Sequence, residues 1–248
     1  MPFFDEFEID LVSALAEQLV AAFDKLDVGS LTEEHINTVP KEQGVYQLFR
    51  DGALVYVGKA DNLRGRLIQH RRKIVGRQNI DVGQMGFKCL TVHKNWTALA
   101  PETSLIAHYK EQPNACEWNG NGFGIHDPGR ERDTTNKDPE GFDSQFPIRD
   151  DWPCTGIDAK VWNLSELLAK MKKELPYLLR YDTAYADYKN VKVKVPKAGM
   201  TATDLLALIA KQLPGWQATR FPSHMILYKE KREYKHGVVI WYQPIEKK

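Results

Sequence analysis

The feature that most constrains this chain is a pair of strand-like runs, "GVYQLF" (44–49) and "ALVYVG" (53–58), flanking Asp51-Gly52. Aromatic and β-branched residues on both sides of an Asp-Gly step are the signature of an antiparallel hairpin. Side chains alternate faces along a strand, so the turn decides whether Tyr46 and Tyr56 share one. A two-residue turn in a regular ladder sets Tyr56 opposite Gln47 and leaves Tyr46 on the other face. A three-residue loop, Arg50-Asp51-Gly52 with Gly52 left-handed, pairs Tyr46 with Tyr56 on one face. Shared chemistry requires the second arrangement; two ordinary strand aromatics are the plainer alternative.

The segment that follows is strongly basic. From Leu63 to Val75 the apolar residues Leu63, Leu67 and Ile74 make one helical stripe, with Ile68 and Val75 beside it. At roughly 100° per residue, Arg66, His70 and Arg77 run along one edge of that stripe, while Arg64, Arg71 and Arg72 point elsewhere. Arginine forks its donors onto a phosphate and histidine moves a proton, so the first group suits phosphate recognition beside a tyrosine-bearing sheet. With Lys59 and Lys73 opposed only by Asp61, the stretch is a candidate nucleic-acid surface, against the commoner fate of a solvated helix face. Pro101 opens a further helix to about Lys110, on which Glu102 shares a face with Leu105, Ile106 and Tyr109. A carboxylate turned inward needs a partner, either the helix dipole or a hard cation such as Mg2+.

Composition leaves room for such a site. The 248 residues are 42% hydrophobic, enough for one large domain or two modest ones. A formal net charge of only +1 means that a nucleic acid must be met by a local patch. The start carries acids and no basic lead into an apolar run, and no stretch reaches the roughly 20 apolar residues of a bilayer span. A cytoplasmic chain with no membrane partner is the expectation. Cys89, Cys116 and Cys154, odd in number and widely spaced, read as free thiols.

Elsewhere, residues 5–26 repeat Leu11, Leu15, Leu19, Ala22, Phe23 and Leu26 at helical spacing, and Ser30 to Pro40 links onward. "FKCLTVH" (87–93) reads as a third strand. "NGNGFGIHDPGRERD" (119–133) has the glycines of a nucleotide-binding loop, but no strand enters it and no helix clearly leaves it. Asn121, His126, Arg130 and Arg132 make it a candidate DNA-contacting loop, with a surface loop shaped by Asx and glycine turns as the alternative. After Trp152-Pro153, helices near 164–174 and 201–213 and the strands "NVKVKV" and "GVVIWYQ" read as a small α+β domain.

Taken together, Gly44-Val45-Tyr46, then Tyr56-Val57-Gly58 with Lys59, Arg66 ten residues after Tyr56, His70 four further on and a later Glu102 resemble the GIY-YIG nuclease superfamily. Within it, the histidine after the arginine, "EWNGNGFGIHDPGRERD" and the helix ahead of the hairpin are similar to the restriction endonucleases that cut CCGCGG, over about residues 1–153. The resemblance implies an α+β fold: a small antiparallel three-stranded sheet flanked by helices, with an N-terminal helix and a C-terminal α+β extension. The implied division is an N-terminal extension at 1–40, a nuclease domain at 41–153 and an accessory domain at 154–248, the last resembling nothing further. The implied activity is that of a type II endonuclease hydrolysing duplex DNA at a short palindrome with Mg2+ or another divalent cation such as Mn2+. A second copy of the chain and a cognate DNA methyltransferase are the implied partners beside double-stranded DNA.

The catalytic set implied by the resemblance is Tyr46, Tyr56, Lys59, Arg66, His70, Glu102 and Asn119. Glu102 would hold the metal, Tyr46 would assist or abstract a proton from the attacking water, and Arg66 and His70 would steady the phosphorane. Asn119 matches through its Trp118-Asn119 context, whereas Asn114 stands at the more usual distance from Glu102. Lys59 either favours a Tyr46 phenolate or contacts phosphate. Expected DNA contacts are Arg64, Arg71, Arg72 and Arg77 on the helix, with Asn121, His126, Arg130 and Arg132 in the loop. A repair or mobile-element nuclease with the same module, and a DNA-binding module without turnover, are the alternatives.

Overall fold

The computed structural model describes residues 3, 10–93, 101–111, 115–124, 127–138, 141–184 and 190–245. The chain forms two compact units, residues 1–71 with 81–124 and residues 72–80 with 125–248.

The first unit contains α1 (Leu11–Asp24), β1 (Gly29–Ser30), α2 (Glu33–Thr38), β2 (Gly44–Arg50), β3 (Ala53–Ala60), the greater part of α3 (Leu63–Val75), β4 (Met85–Thr91) and α4 (Pro101–Lys110). Asp10 caps α1 by accepting from the N–H groups of Val12 and Ser13. The α1 stripe of Leu15, Leu19 and Phe23 packs with Leu105 and Tyr109 of α4 against Val45 and Val57 of the sheet. The antiparallel order is β1-β4-β2-β3, so the three expected strands gain a short fourth. It comes from the stretch expected to be a link. Gly29 and Ser30 pair with Phe87 and Gly86, and α2 follows at once, capped by the Thr32 side chain and anchored by the buried Ile36.

The hairpin turns in two residues. Asp51 and Gly52 both have positive φ, 49° and 83°, as a type I′ turn requires, and Arg50 pairs with Ala53. The expected three-residue loop is therefore replaced by another device. A bulge at Val55 shifts the ladder, so that Phe49 pairs with Leu54 while Leu48 pairs with Tyr56. Tyr46 then lies opposite Gly58, on the face that carries Tyr56. One unpaired residue supplies the register change that the longer loop was expected to supply.

The second unit contains α5 (Arg130–Asp133), α6 (Phe142–Gln145), β5 (Val161–Asn163), α7 (Leu164–Glu174), β6 (Leu178–Tyr181), β7 (Lys192–Lys194), α8 (Ala202–Ala210), β8 (Gln217–Arg220), β9 (His224–Tyr228) and β10 (Val238–Tyr242). Its sheet runs β10-β8-β9-β6, with β6 parallel to β9, and β5 and β7 form a separate ladder. Leu167, Leu168 and Met171 of α7 and Leu205, Leu206 and Ile209 of α8 bury themselves with Trp216 and Leu227. Residues 125–153 fall in this unit by contact, and Ile148 is buried in the same core as Leu164 and Trp216. Among the described residues no helix is long and apolar enough to cross a membrane, and Cys89, Cys116 and Cys154 are free thiols.

Candidate active site

Two neighbouring tyrosines define the centre of the first unit. Their ring centroids are 6.0 Å apart, and both rings are buried. The Tyr46 hydroxyl lies 2.7 Å from Nε2 of His70. His70 arrives from α3, whose Leu63 and Leu67 stripe is wholly buried and thereby fixes the rotation of the helix. Gly58 gives Tyr46 its room, since a Cβ there would sit 2.5 Å from the hydroxyl oxygen.

Charge is distributed around this pair by three further residues. Burial drives the Tyr46 phenol far above its ordinary range; Arg66 pulls it back, and the Tyr56 and Glu102 charges push it up. Tyr56 is raised too, first by burial and then by Glu102, with Arg66 opposing. Burial also lifts Glu102, against the favourable charges of Lys59 and Arg66. Lys59 thus acts on the carboxylate, and Arg66 on both tyrosines and the carboxylate. Glu102 is half-buried on the first turn of α4, above the buried Leu105 and Tyr109. Among the described residues no cluster of three His, Cys, Asp or Glu side chains stands ready to hold a metal. A single desolvated carboxylate nevertheless fits Mg2+, which keeps several waters and completes its shell with one or two carboxylates and substrate phosphates.

The stretch that leads into the glycine-rich segment runs along the outer edge of β3, where the N–H groups of Cys116 and Trp118 donate to the carbonyls of Leu54 and Val55 at 3.0 and 2.9 Å. The Asn119 amide straddles Val57, accepting from its N–H at 2.9 Å and donating to its carbonyl at 2.8 Å. Asn119, expected to be catalytic, is thus engaged with the backbone between Tyr56 and Gly58; Asn114 lies outside the described residues. Trp118 is buried, and Phe123 beyond it stacks on His70 with ring centroids 4.8 Å apart and planes 16° apart. Phe123 belongs to no motif, and its one signal in the sequence is that Trp118 and Phe123 are bulky apolar residues in a polar, glycine-rich run, which is how buried anchors look.

Among the described residues, the other expected DNA contacts each have a partner within the chain. Arg77 is a correction outright: it is 5% exposed, ion-paired to Asp143 at 3.0 Å, and donates to the carbonyls of Phe146 and Pro222. Arg64 donates to the Val39 carbonyl at 2.6 Å, Arg71 pairs with Glu33 at 3.0 Å, and Arg72 donates to the carbonyls of Lys173 and Leu175. Arg130 pairs with Asp182 at 2.7 Å and lies over the Tyr228 ring, and Arg132 pairs with Asp143. Asn121 is exposed and donates to the Glu117 carbonyl, while His126 lies outside the described residues. Helical spacing reveals a positive stretch but not the carbonyls and carboxylates that the fold brings to it.

A hairpin carrying two facing tyrosines, with an arginine and a histidine from the next helix and a carboxylate from a later one, is the arrangement that the sequence resemblance to the GIY-YIG nucleases leads one to expect. Residues 42–150 match the family described as the Eco29kI GIY-YIG domain, and this part of the chain belongs to the GIY-YIG nuclease superfamily. Over 92 residues the chain is 35% identical to UvrABC system protein C of Porphyromonas gingivalis, covering 34% of this chain and 15% of that relative. The chain thus spans a small part of the curated relative's length. Among solved structures, the magnesium-bound GIY-YIG N-terminal endonuclease domain of UvrC from Thermotoga maritima is 26% identical, covering 32% of this chain and 94% of that one with a TM-score of 0.25. A point mutant of the same domain, bound to its catalytic divalent cation, is 28% identical over 32% of this chain and 93% of that one, with a TM-score of 0.24.

Proposed function

We propose that the chain is a metal-dependent endonuclease cutting duplex DNA, of the type II restriction class with a short palindromic target. The observation that carries the proposal is the hydrogen bond between the buried Tyr46 hydroxyl and Nε2 of His70, beside Tyr56 and within the field of Arg66 and Glu102. A phenol buried this deeply is protonated at rest, so the reading differs from a standing phenolate. With Nε2 of a neutral imidazole accepting from Tyr46, the hydroxyl can take a proton from the attacking water as its own passes to His70. No buried phenolate has to persist. Tyr56 donates to the substrate or to Tyr46, and Arg66 supplies the charge that offsets the extra negative charge on the phosphorus oxygens. Glu102 would hold Mg2+, which in this chemistry offsets phosphate charge and favours ionisation of water.

Support for the restriction reading comes from the match to the Eco29kI GIY-YIG domain. A homodimer in the cytoplasm, working beside a cognate DNA methyltransferase, follows from that reading, since a two-fold target suits a two-fold enzyme. The likeness to UvrABC system protein C favours repair as a second reading. Incubation with unmodified plasmids separates them: discrete fragments with one sequence at their ends support restriction, and incision only at lesions supports repair. Within either reading, Glu102→Gln keeps the shape and removes the charge. Plasmid cleavage with Mg2+ is expected to fall by orders of magnitude, while gel-shift binding without metal persists. Cleavage near the wild-type rate by this variant overturns the metal assignment.

A further inference from the structure

The glycine-rich segment 120–124 reaches the centre of the site, which neither its composition nor its sequence distance suggests. Gly120 and Gly122 take positive φ, 81° and 91°, and between these bends and Gly124 the chain turns Phe123 inward until it is 3% exposed. The Phe123 ring lies nearly parallel to the His70 imidazole, 4.8 Å away. It also meets Tyr56 edge-on at 5.1 Å with planes 66° apart, and Trp118 backs it at 4.9 Å. Gly124 is exposed but approaches just as closely: a Cβ there would sit 2.1 Å from the Tyr56 hydroxyl oxygen.

We propose that Phe123 is a positioning residue for the proton relay and that the segment around it completes the active site. This rests on the nuclease reading above only for its kinetic consequence. An imidazole can rotate about its bond to Cβ, and a turn of a few tens of degrees takes Nε2 away from the Tyr46 hydroxyl. The Tyr46 hydrogen bond holds one edge of the ring, and the Phe123 face stops it from tilting. The same aromatic side chain sets its edge against Tyr56, so one residue fixes the plane of the proton acceptor and the attitude of the second tyrosine. Gly124 keeps the backbone out of the Tyr56 hydroxyl, whose position a methyl group would claim.

The test compares Phe123→Leu, which retains most of the apolar volume without a flat face, with Phe123→Tyr, which retains the face. Phe123→Leu is expected to lower kcat for plasmid cleavage by about 10–100-fold without raising KM for DNA, and Phe123→Tyr to restore most of that loss. A merely structural residue lowers thermal stability without separating kcat from KM. The second readout needs no activity: side-chain 15N spectra of the histidines report the tautomer and the hydrogen bond of His70, and Phe123→Leu is expected to shift them. Unchanged His70 signals in Phe123→Leu overturn the inference whether or not the protein cuts DNA. Absence of cutting by the wild type together with shifted His70 signals overturns the nuclease reading alone. Should Phe123→Leu fail to fold, Gly124→Ala at an exposed position replaces it: a Tyr56 ring resonance and a kcat identical to wild type in that variant overturn the proposed place of the segment in the site.

Discussion

At the scale of single residues, the site depends on polar atoms whose partners are backbone groups. Val57 is wholly buried, and both its N–H and its carbonyl face the outer edge of β3, where a sheet ordinarily needs another strand. One side chain supplies both bonds: the Asn119 amide is donor and acceptor at once. Asn119→Ala leaves two buried groups without a partner, at about 1–3 kcal/mol for each. The expected outcome is a clear drop in the urea midpoint together with reduced cleavage, because Val57 lies between Tyr56 and Gly58. Asn119→Asp keeps the acceptor for the N–H but sets a carboxylate oxygen against the Val57 carbonyl, so at neutral pH it is expected to be destabilised as well. A loss below about 0.5 kcal/mol in Asn119→Ala shows that water or another group takes over the edge. Gly58 makes the same point for catalysis: its lack of a side chain sets where the Tyr46 hydroxyl can be.

At the scale of elements, the hairpin shows how local chemistry and register divide the task. The Asp51-Gly52 turn is local, and both residues adopt the left-handed backbone that such a turn demands. Asp51 is further tied to the turn just ahead of β4 by its N–H, which donates to the Gln84 carbonyl, and by the Gln84 side chain at 3.1 Å. Gly52 has open space around it, so an added Cβ meets no atom and the strain of Gly52→Ala is purely that of the backbone. An L-residue in this region costs about 1–2 kcal/mol, and chemical denaturation is expected to report that loss with cleavage still measurable in the folded fraction. Loss of cleavage at full folding instead indicates that the turn transmits its strain to the tyrosines. The bulge at Val55 has a different origin. A regular ladder from the same turn sets Tyr46 and Tyr56 on opposite faces, and the bulge brings them together. Val55 is buried and its carbonyl accepts from the Trp118 N–H, so the segment packed on the β3 edge helps to stabilise the register.

At the scale of the whole molecule, each compact unit has its own core, and the second carries a buried polar network that makes its stability depend on pH. His224 is 1% exposed; its Nε2 lies 2.6 Å from an Asp133 oxygen and its Nδ1 lies 2.7 Å from the Ser223 hydroxyl. Arg180 reaches Asp127, Asp133 and the Tyr228 hydroxyl, and Phe221 stacks on the imidazole. Burial, joined by the charge of Arg180, holds His224 below its ordinary value despite Asp133. For Asp133, burial works upward, but the hydrogen bond and charge of His224 and the charge of Arg180 outweigh it and hold the carboxyl low. Both folded values lie below their unfolded ones, so the unfolded chain binds more protons on acidification and stability falls. The His224 contribution is present above its unfolded value of 6.5 and is lost as pH drops below it; that of Asp133 is lost below 3.8. Urea unfolding followed by circular dichroism is expected to show lower stability at about pH 5.5 than at about 7.5, with a shallower dependence in His224→Gln. An unchanged slope in that variant assigns the pH dependence to other groups.

How far the sequence reaches is visible in the same places. Leu63 to Val75, Pro101 to Lys110 and Leu164 to Glu174 are helices because amphipathic spacing, a proline start and polar flanks act within a few residues of one another. The hairpin at Asp51-Gly52 is legible for that reason too, though not its two-residue turn, and so is the candidate set of Tyr46, Tyr56, Arg66, His70 and Glu102, whose order along the chain survives any folding. The two-residue β1 has no pattern of its own and exists because β4 offers an edge to pair with. Arg77 looks like its basic neighbours until Asp143, Phe146 and Pro222 surround it. Phe123 lies 53 residues from the imidazole on which it stacks. Composition and short-range spacing by themselves determined the main helices, the hairpin and the chemical inventory, because those interactions span one turn or one strand pair. Which arginines are consumed inside, which register aligns the tyrosines and which loop closes on His70 were decided by tertiary packing, because their partners are distant in sequence and no local preference encodes the meeting.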